Sequence, residues 1–308
     1  MYKMNEAINI YLSYCNKQRR LDEKTIRAYK NDLAQFANAA ETDVLVLDKE
    51  EIKNYIISLH DRYKQKTVKR KIASIKAFYS YLENEEIIEM SPMRKIRSEF
   101  REEVVLPRTI PTDIIEKLLV YMYSEKNKNL SLWQRKILQR DIVVIEILFA
   151  TGLRISELCN LQKGRFNIEQ GVLCIKGKGA KERYLQIGNT MVMAQVNEYL
   201  KLWENELRDK SYFLCNRYGN QYSEQSARIM INKYVNAATI DMHITPHMFR
   251  HAFATLLLEE DVDIRYIQKM LGHSSIITTQ IYTEVASKKQ MEILKNKHPR
   301  NKMRICWL

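Results

Sequence analysis

The sequence predicts a mainly α-helical protein of two domains, with one small β-hairpin set into the second. Three observations carry this. Apolar residues recur at helical spacing along most of the chain. Only 8 glycines and 5 prolines occur in 308 residues, and 45% of the residues are hydrophobic, the composition of a globular, helix-rich chain. A charged stretch at 93–111 carrying Pro107 and Pro111 breaks the periodicity and reads as a linker. The expected divisions are a helical domain at 1–92, the linker at 93–111 and a larger domain at 112–308. A chain of this length suggests about two domains and buries a sizeable core without disulfides.

The elements follow in order. Residues 4–17 place Ala7, Ile8, Tyr11, Leu12 and Cys15 on one helical stripe. Asp22 or Glu23 suits the cap of a second helix running through Thr25, Tyr29, Leu33 and Phe36. Asp48 precedes a third, with Ile52, Tyr55, Ile56 and Leu59 on one side. A fourth spans about 67–83 and turns Ile72, Ile75, Phe78, Tyr79 and Leu82 inward. Ser91-Pro92 ends this run, because the residue before proline avoids helical angles. Thr112 and Asp113 restart a helix with Ile114, Ile115, Leu118 and Leu119 apolar. Farther on, GVLCIK and ERYLQI flank Gly177-Lys178-Gly179-Ala180-Lys181, a β-hairpin with lysines at its tip. Helices resume near Thr190.

Charge and cysteines narrow the partners. Fifty Lys and Arg against 37 Asp and Glu give a formal charge of +13, which favours a polyanion. Lys66, Lys69, Arg70, Lys71 and Lys76 cluster on the fourth helix and its approach, a face able to neutralise phosphates or simply to be solvated. The five cysteines, Cys15, Cys159, Cys174, Cys215 and Cys306, are odd in number and form no C-x-x-C pair. They read as reduced thiols of a cytoplasmic protein, not as a disulfide framework or zinc site. No signal peptide is legible at the start, and the most apolar stretch, 142–150, is too short to span a bilayer. No membrane association is expected.

Six residues carry the chemistry: Arg154, Lys178, His247, Arg250, His273 and Tyr282. Each lies in a short motif: ATGLRISEL, KGKGAKER, TPHMFRH, LGHS and QIYTEV. Arg154 follows a turn at Thr151-Gly152-Leu153 and opens a helix, where backbone N–H groups and the helix dipole favour an anion. Glu157, one turn on, reads as the structural partner of a basic side chain. Thr245 and Pro246 suit the cap and first position of another helix, with His247 and Arg250 three apart on one face. His247 and His251 stand four apart, as zinc ligands can, but Met248 occupies the place of the metalloprotease glutamate. The lysine-bearing turn lacks the P-loop pattern, and a strand follows it. Gly272 reads as a helix C-cap before His273. Tyr282 is one of 18 tyrosines. At neutral pH only about one phenol in a thousand is ionised, and a cationic phosphate pocket would favour the phenolate.

In order and spacing these motifs resemble the tyrosine recombinase (phage integrase) family, the Xer-like members most closely, over nearly the whole chain. The resemblance implies a C-shaped clamp made of a helical, SAM-like, core-DNA-binding domain and a catalytic domain. It implies that Arg154 and Arg250 hold the scissile phosphate, His247 assists proton transfer, Lys178 protonates the 5′ oxygen, His273 supports the phosphate and Tyr282 attacks. It implies a 3′-phosphotyrosyl intermediate and no metal, nucleotide or other cofactor. The implied partner is double-stranded DNA with a paired recombination site, engaged by a tetramer, with a second recombinase or accessory protein as further candidates. Lys66, Lys69, Arg70, Lys71 and Lys76 are the expected DNA contacts of the first domain. Two other readings stay open: a type IB topoisomerase-like relaxing enzyme and a DNA-binding protein without catalysis.

Overall fold

A computed structural model of the chain describes residues 4–40, 49–94, 96, 109–177, 182–272 and 293–303. The chain divides into two compact units, Met1–Val105 and Leu106–Leu308. The fold is mainly helical, with one three-stranded antiparallel sheet.

The first unit consists of α1 (Met4–Lys17), α2 (Glu23–Ala39), α3 (Lys49–Arg62) and α4 (Gln65–Asn84). Of the two candidate caps for α2, Asp22 is the one used, and its carboxylate accepts from the Thr25 N–H at 3.0 Å. Asp48, expected to precede α3, lies outside the described residues. Each helix buries the stripe its spacing predicts, and Tyr11, Leu33, Phe36, Ile52, Leu59, Ile72 and Phe78 meet in one core. α4 begins two residues before the expected Thr67 and adds Val68 to that core. Asp32 is buried beneath α4, where Ser74 Oγ donates to it at 2.9 Å and Arg70 and Lys71 both pair with it. A buried carboxylate is tolerable because three donors, two of them charged, share its two oxygens.

The second unit is organised around one helix. After α5 (Thr112–Ser124) comes α6 (Leu132–Thr151), whose residues from Leu138 to Thr151 are all buried. A helix enclosed on every side shows no polar face, and α5, α8 (Thr190–Leu202), α10 (Glu224–Ala237) and α11 (Pro246–Glu259) pack around it. Ser131 starts α6 with a capping box, its side chain on the Gln134 N–H and the Gln134 side chain on its own. The short α7 (Ile155–Cys159) and α9 (Glu204–Leu207) and the eight-residue α12 (Ile264–Leu271) complete the helices named here.

The expected hairpin is present as β2 (Val172–Lys176) and β3 (Glu182–Gln186), paired from Val172↔Gln186 to Lys176↔Glu182. A third strand, β1 (Phe166–Asn167), pairs Phe166 with Leu173 along its outer edge. Two residues are too few to show an alternation, so periodicity alone does not reveal it. In the fold, residues 293–303 dock on the second unit. Arg300 is buried and pairs with the buried Glu146 of α6 at 3.0 Å, and Tyr123 Oη donates to the same carboxylate at 2.6 Å. His298 Nδ1 accepts the Arg300 N–H at 3.0 Å, so its Nε2–H donates to the Phe149 carbonyl at 3.2 Å.

Candidate active site

The site begins where α6 ends. Gly152 terminates α6 in the left-handed region at φ +62°. A methyl group there would lie 2.6 Å from Phe253 Cδ1 and 2.9 Å from Leu271 Cδ2, so both the backbone and the packing demand glycine. Leu153 is fully buried and Arg154 follows as the N-cap of α7. Glu157 does what a capping residue does. Its carboxylate accepts the Arg154 N–H at 2.9 Å and Arg154 Nη1 at 3.0 Å. Arg154 thus stands at a helix start with its side chain 39% exposed, free to meet an anion.

Arg183 of β3 reaches the same carboxylate through two bonds, Nη1 to Oε1 at 2.9 Å and Nη2 to Oε2 at 2.7 Å, and its Nε–H donates to the Met270 carbonyl at 3.0 Å. Burial pushes the Glu157 carboxyl up, but the bonds from Arg183 and from Arg154 outweigh it and hold the carboxyl below its ordinary value.

α11 contributes the next pair. It starts at Pro246 with Thr245 at the N-cap position, as the sequence suggests, but the Thr245 hydroxyl makes no capping bond. Arg250 is 6% exposed. Its Nη1 donates to the Gly152 carbonyl at 2.8 Å and its Nη2 to the Leu271 carbonyl at 2.6 Å. Among the described residues no carboxylate forms an ion pair with it. Burial first, and then the charge of Arg154, push its pKa down to about 10. It therefore remains charged at neutral pH, with Glu157, already engaged by Arg154 and Arg183, as the carboxylate whose charge it feels. His247 lies one helical turn away. Partial burial, then His251, Arg250 and Arg154, hold its pKa below 6.5, so the imidazole is neutral at pH 7 and able to take a proton.

α12 closes the cluster from the other side. It ends at Gly272, again left-handed at φ +66°, immediately before His273. The structure thus brings Arg154, His247 and Arg250 together. Lys178, His273 and Tyr282 lie outside the described residues. The site residue not anticipated from sequence is Arg183. Its signal is present, since it is the first inward position after Glu182 on a strand leaving the lysine turn, but nothing local names its partner 26 residues away. Among the described residues no group of three His, Cys, Asp or Glu side chains is placed to share a metal ion. No described helix is long and apolar enough to cross a membrane.

On the first unit, Lys66, Lys69, Arg70 and Lys76 are exposed along α4. Lys71 departs from the expectation. It is 2% exposed, and its ammonium sits 3.2 Å from Asp32 and against Gln35. A lysine held this way braces α4 on α2, because its ammonium is enclosed, whereas Arg70, which pairs with the same Asp32, keeps its side chain 47% exposed. The concave surface at whose floor Lys71 lies is lined also by Lys24, Arg27 and Asn31 of α2 and by Thr67 and Arg70 of α4. Their spacing, opposite the apolar stripe of α2, could have identified them.

Residues 109–289 match the phage integrase family, and residues 8–86 match its N-terminal SAM-like domain. A tyrosine recombinase of Agathobacter rectalis is 52% identical over 301 residues, spanning 97% of this chain and 98% of that protein. The tyrosine recombinase XerD of Listeria monocytogenes is 33% identical over 307 residues, spanning 96% and 100%. Among solved structures, XerH site-specific recombinase bound to palindromic difH substrate superposes with a TM-score of 0.68 at 23% identity, over 92% of this chain and 83% of that one. A lambda integrase dimer bound to a COC′ core site gives a TM-score of 0.66 at 15% identity, over 91% and 100%. These two share the fold. The chain belongs to the phage integrase family. It is an enzyme of the tyrosine recombinase class.

Proposed function

We propose that this enzyme cleaves and rejoins double-stranded DNA at a specific site and exchanges strands with a second site through a Holliday junction. The observation that supports it best is Arg250. A buried guanidinium that, among the described residues, bonds only to backbone carbonyls, beside Arg154 and one helical turn from a neutral His247, leaves more positive charge here than Glu157 balances. Paired arginine forks match the non-bridging oxygens of a phosphodiester, and donors fixed in place before reaction stabilise the charge that builds there.

In this reading Tyr282 attacks the phosphorus in line as its proton passes to His247. The P–O5′ bond breaks as the P–O bond to tyrosine forms, and Lys178 supplies the proton for the departing 5′ oxygen. His273 supports the phosphate. One phosphoester replaces another, so the 5′ hydroxyl of a partner strand can reverse the step without an external energy source. The positive side chains take the part that metal ions play in other nucleases. The domain at 1–92 and the catalytic domain at 112–308 both contribute DNA contacts, the former through Lys66, Lys69, Arg70 and Lys76 and, on α2, Lys24 and Arg27. Four protomers on two sites complete the exchange, in the cytoplasm with the DNA. Integration and excision, inversion and dimer resolution are outcomes of the same chemistry on differently placed sites.

The test is a nicked suicide duplex carrying the recombination site. The wild-type protein accumulates a covalent adduct on the 3′ phosphate, and Tyr282→Phe binds the duplex but forms none. Undiminished adduct from Tyr282→Phe would move the nucleophile elsewhere and overturn the assignment.

A further inference from the structure

Arg183 makes four contacts that no expected role accounts for. Two bonds of 2.9 and 2.7 Å hold Glu157, a third of 3.0 Å holds the Met270 carbonyl, and its side chain fills the space a methyl group on Gly272 would need, at 3.0 Å. It therefore joins β3, α7 and the end of α12, the three elements that converge on the phosphate cluster. Its side chain is 12% exposed and Glu157 9%, so neither is a solvated surface charge.

Charge shows why the link matters. Glu157 is the carboxylate bonded to Arg154, through a single 3.0 Å contact to Nη1 and another to the Arg154 backbone. A carboxylate left to itself takes a neighbouring guanidinium with both oxygens. Both oxygens of Glu157 are already occupied by the fork of Arg183. Arg154 is left tethered at one nitrogen, with the rest of its donors available. With Arg154, Arg183 and Arg250 facing one carboxylate, the cluster keeps an excess of positive charge where a phosphodiester would sit.

We propose that Arg183 is a positioning residue for strand cleavage: it occupies Glu157 and so prevents that carboxylate from capturing the phosphate-binding face of Arg154. The role presupposes the strand-cleavage chemistry proposed above. It predicts an unusual genetic relation. Arg183→Met releases Glu157 onto Arg154, and Glu157→Gln in the same chain removes the competing charge, so the second change partly repairs the first. A merely structural Arg183 predicts the opposite, because each lost bond then adds to the damage.

The experiment measures single-turnover adduct formation on the nicked suicide duplex at saturating protein, together with duplex affinity and thermal unfolding. Adduct formation by the wild-type protein tests the proposed function, and the comparison among variants tests the role of Arg183. Arg183→Met is expected to lose about 100-fold in cleavage rate, the scale of one lost preorganised donor, with affinity within about threefold. Arg183→Met with Glu157→Gln is expected to recover at least about tenfold of that loss. Arg183→Lys, which keeps the charge but not the fork, should fall between Arg183→Met and wild type. On a duplex with a neutral methylphosphonate at the scissile position the Arg183→Met defect should shrink, since a neutral centre asks less of Arg154. A double variant as slow as or slower than Arg183→Met, with thermal unfolding showing both folded, would overturn the proposal. If Arg183→Met does not fold, the Arg183→Lys pair with and without Glu157→Gln decides in the same way.

Discussion

Replacing Gly152 by alanine should damage stability and catalysis together, and the structure sets the size of the effect. An L-residue at φ +62° costs about 1–2 kcal/mol in left-handed strain. The new methyl group would also stand 2.6 Å from Phe253 Cδ1 and 2.9 Å from Leu271 Cδ2. Phe253 is fully buried and Leu271 nearly so, so neither can swing away, and such overpacking costs about 1–3 kcal/mol. The expected loss is about 2–5 kcal/mol, a large part of a typical stability of about 5–15 kcal/mol. Gly219 supplies the control. It also has positive φ, +73°, but a methyl group there meets nothing within 4 Å. Gly219→Ala should therefore cost only about 1–2 kcal/mol. The assay is urea unfolding followed by tryptophan fluorescence, since all three tryptophans lie within Leu106–Leu308. Cleavage should fall more in Gly152→Ala, because Arg250 is anchored on the Gly152 carbonyl at 2.8 Å. Equal destabilisation by the two substitutions would refute the steric argument.

Four further outcomes follow. His298 is fully enclosed and burial pushes its pKa down to about 4, so the neutral form is the one the fold accepts. Its stabilisation is complete above the unfolded value near 6.5 and is lost as pH falls toward 4, about 1.4 kcal/mol per unit and about 3 kcal/mol in all. His298→Gln should flatten the dependence of the urea midpoint on pH between 7 and 4.5, and parallel curves for the two proteins would contradict it. Lys69→Ala with Arg70→Ala should lower the slope of log K against log salt for duplex binding by about one unit per lost phosphate contact. Lys71→Met should leave that slope alone and destabilise the first unit by about 1–3 kcal/mol, read by circular dichroism, because Asp32 loses its enclosed partner and not the half-exposed Arg70. An unchanged slope in the first variant, or a flattened slope in the second, would reverse these assignments. Cleavage should persist in EDTA, and its abolition with rescue by magnesium or zinc would exclude a mechanism run by side chains alone.

Much of the molecule was legible in the chain itself. Spacing of apolar residues located α1 to α4 and the hairpin strands, because a helix or strand declares its buried face within one or two turns. Local chemistry placed Arg154 at a helix start and Gly272 at a helix end, since caps depend on the backbone of adjacent residues. Short motifs singled out Arg154, Lys178, His247, Arg250, His273 and Tyr282 as candidates, of which Arg154, His247 and Arg250 meet in the fold and the other three lie outside the described residues. Other features were decided only by tertiary structure. β1 exists because a two-residue edge found a partner in β2. Lys71 looked like its neighbours on α4, yet it points at Asp32, 39 positions earlier. Arg183 acquires its role from Glu157 and Met270, and Arg300 from Glu146, 154 positions away. A pattern of residues shows which way a side chain faces along its own element. It does not show which charge waits across the core, and for a buried lysine or arginine the desolvation cost makes that distant partner decisive.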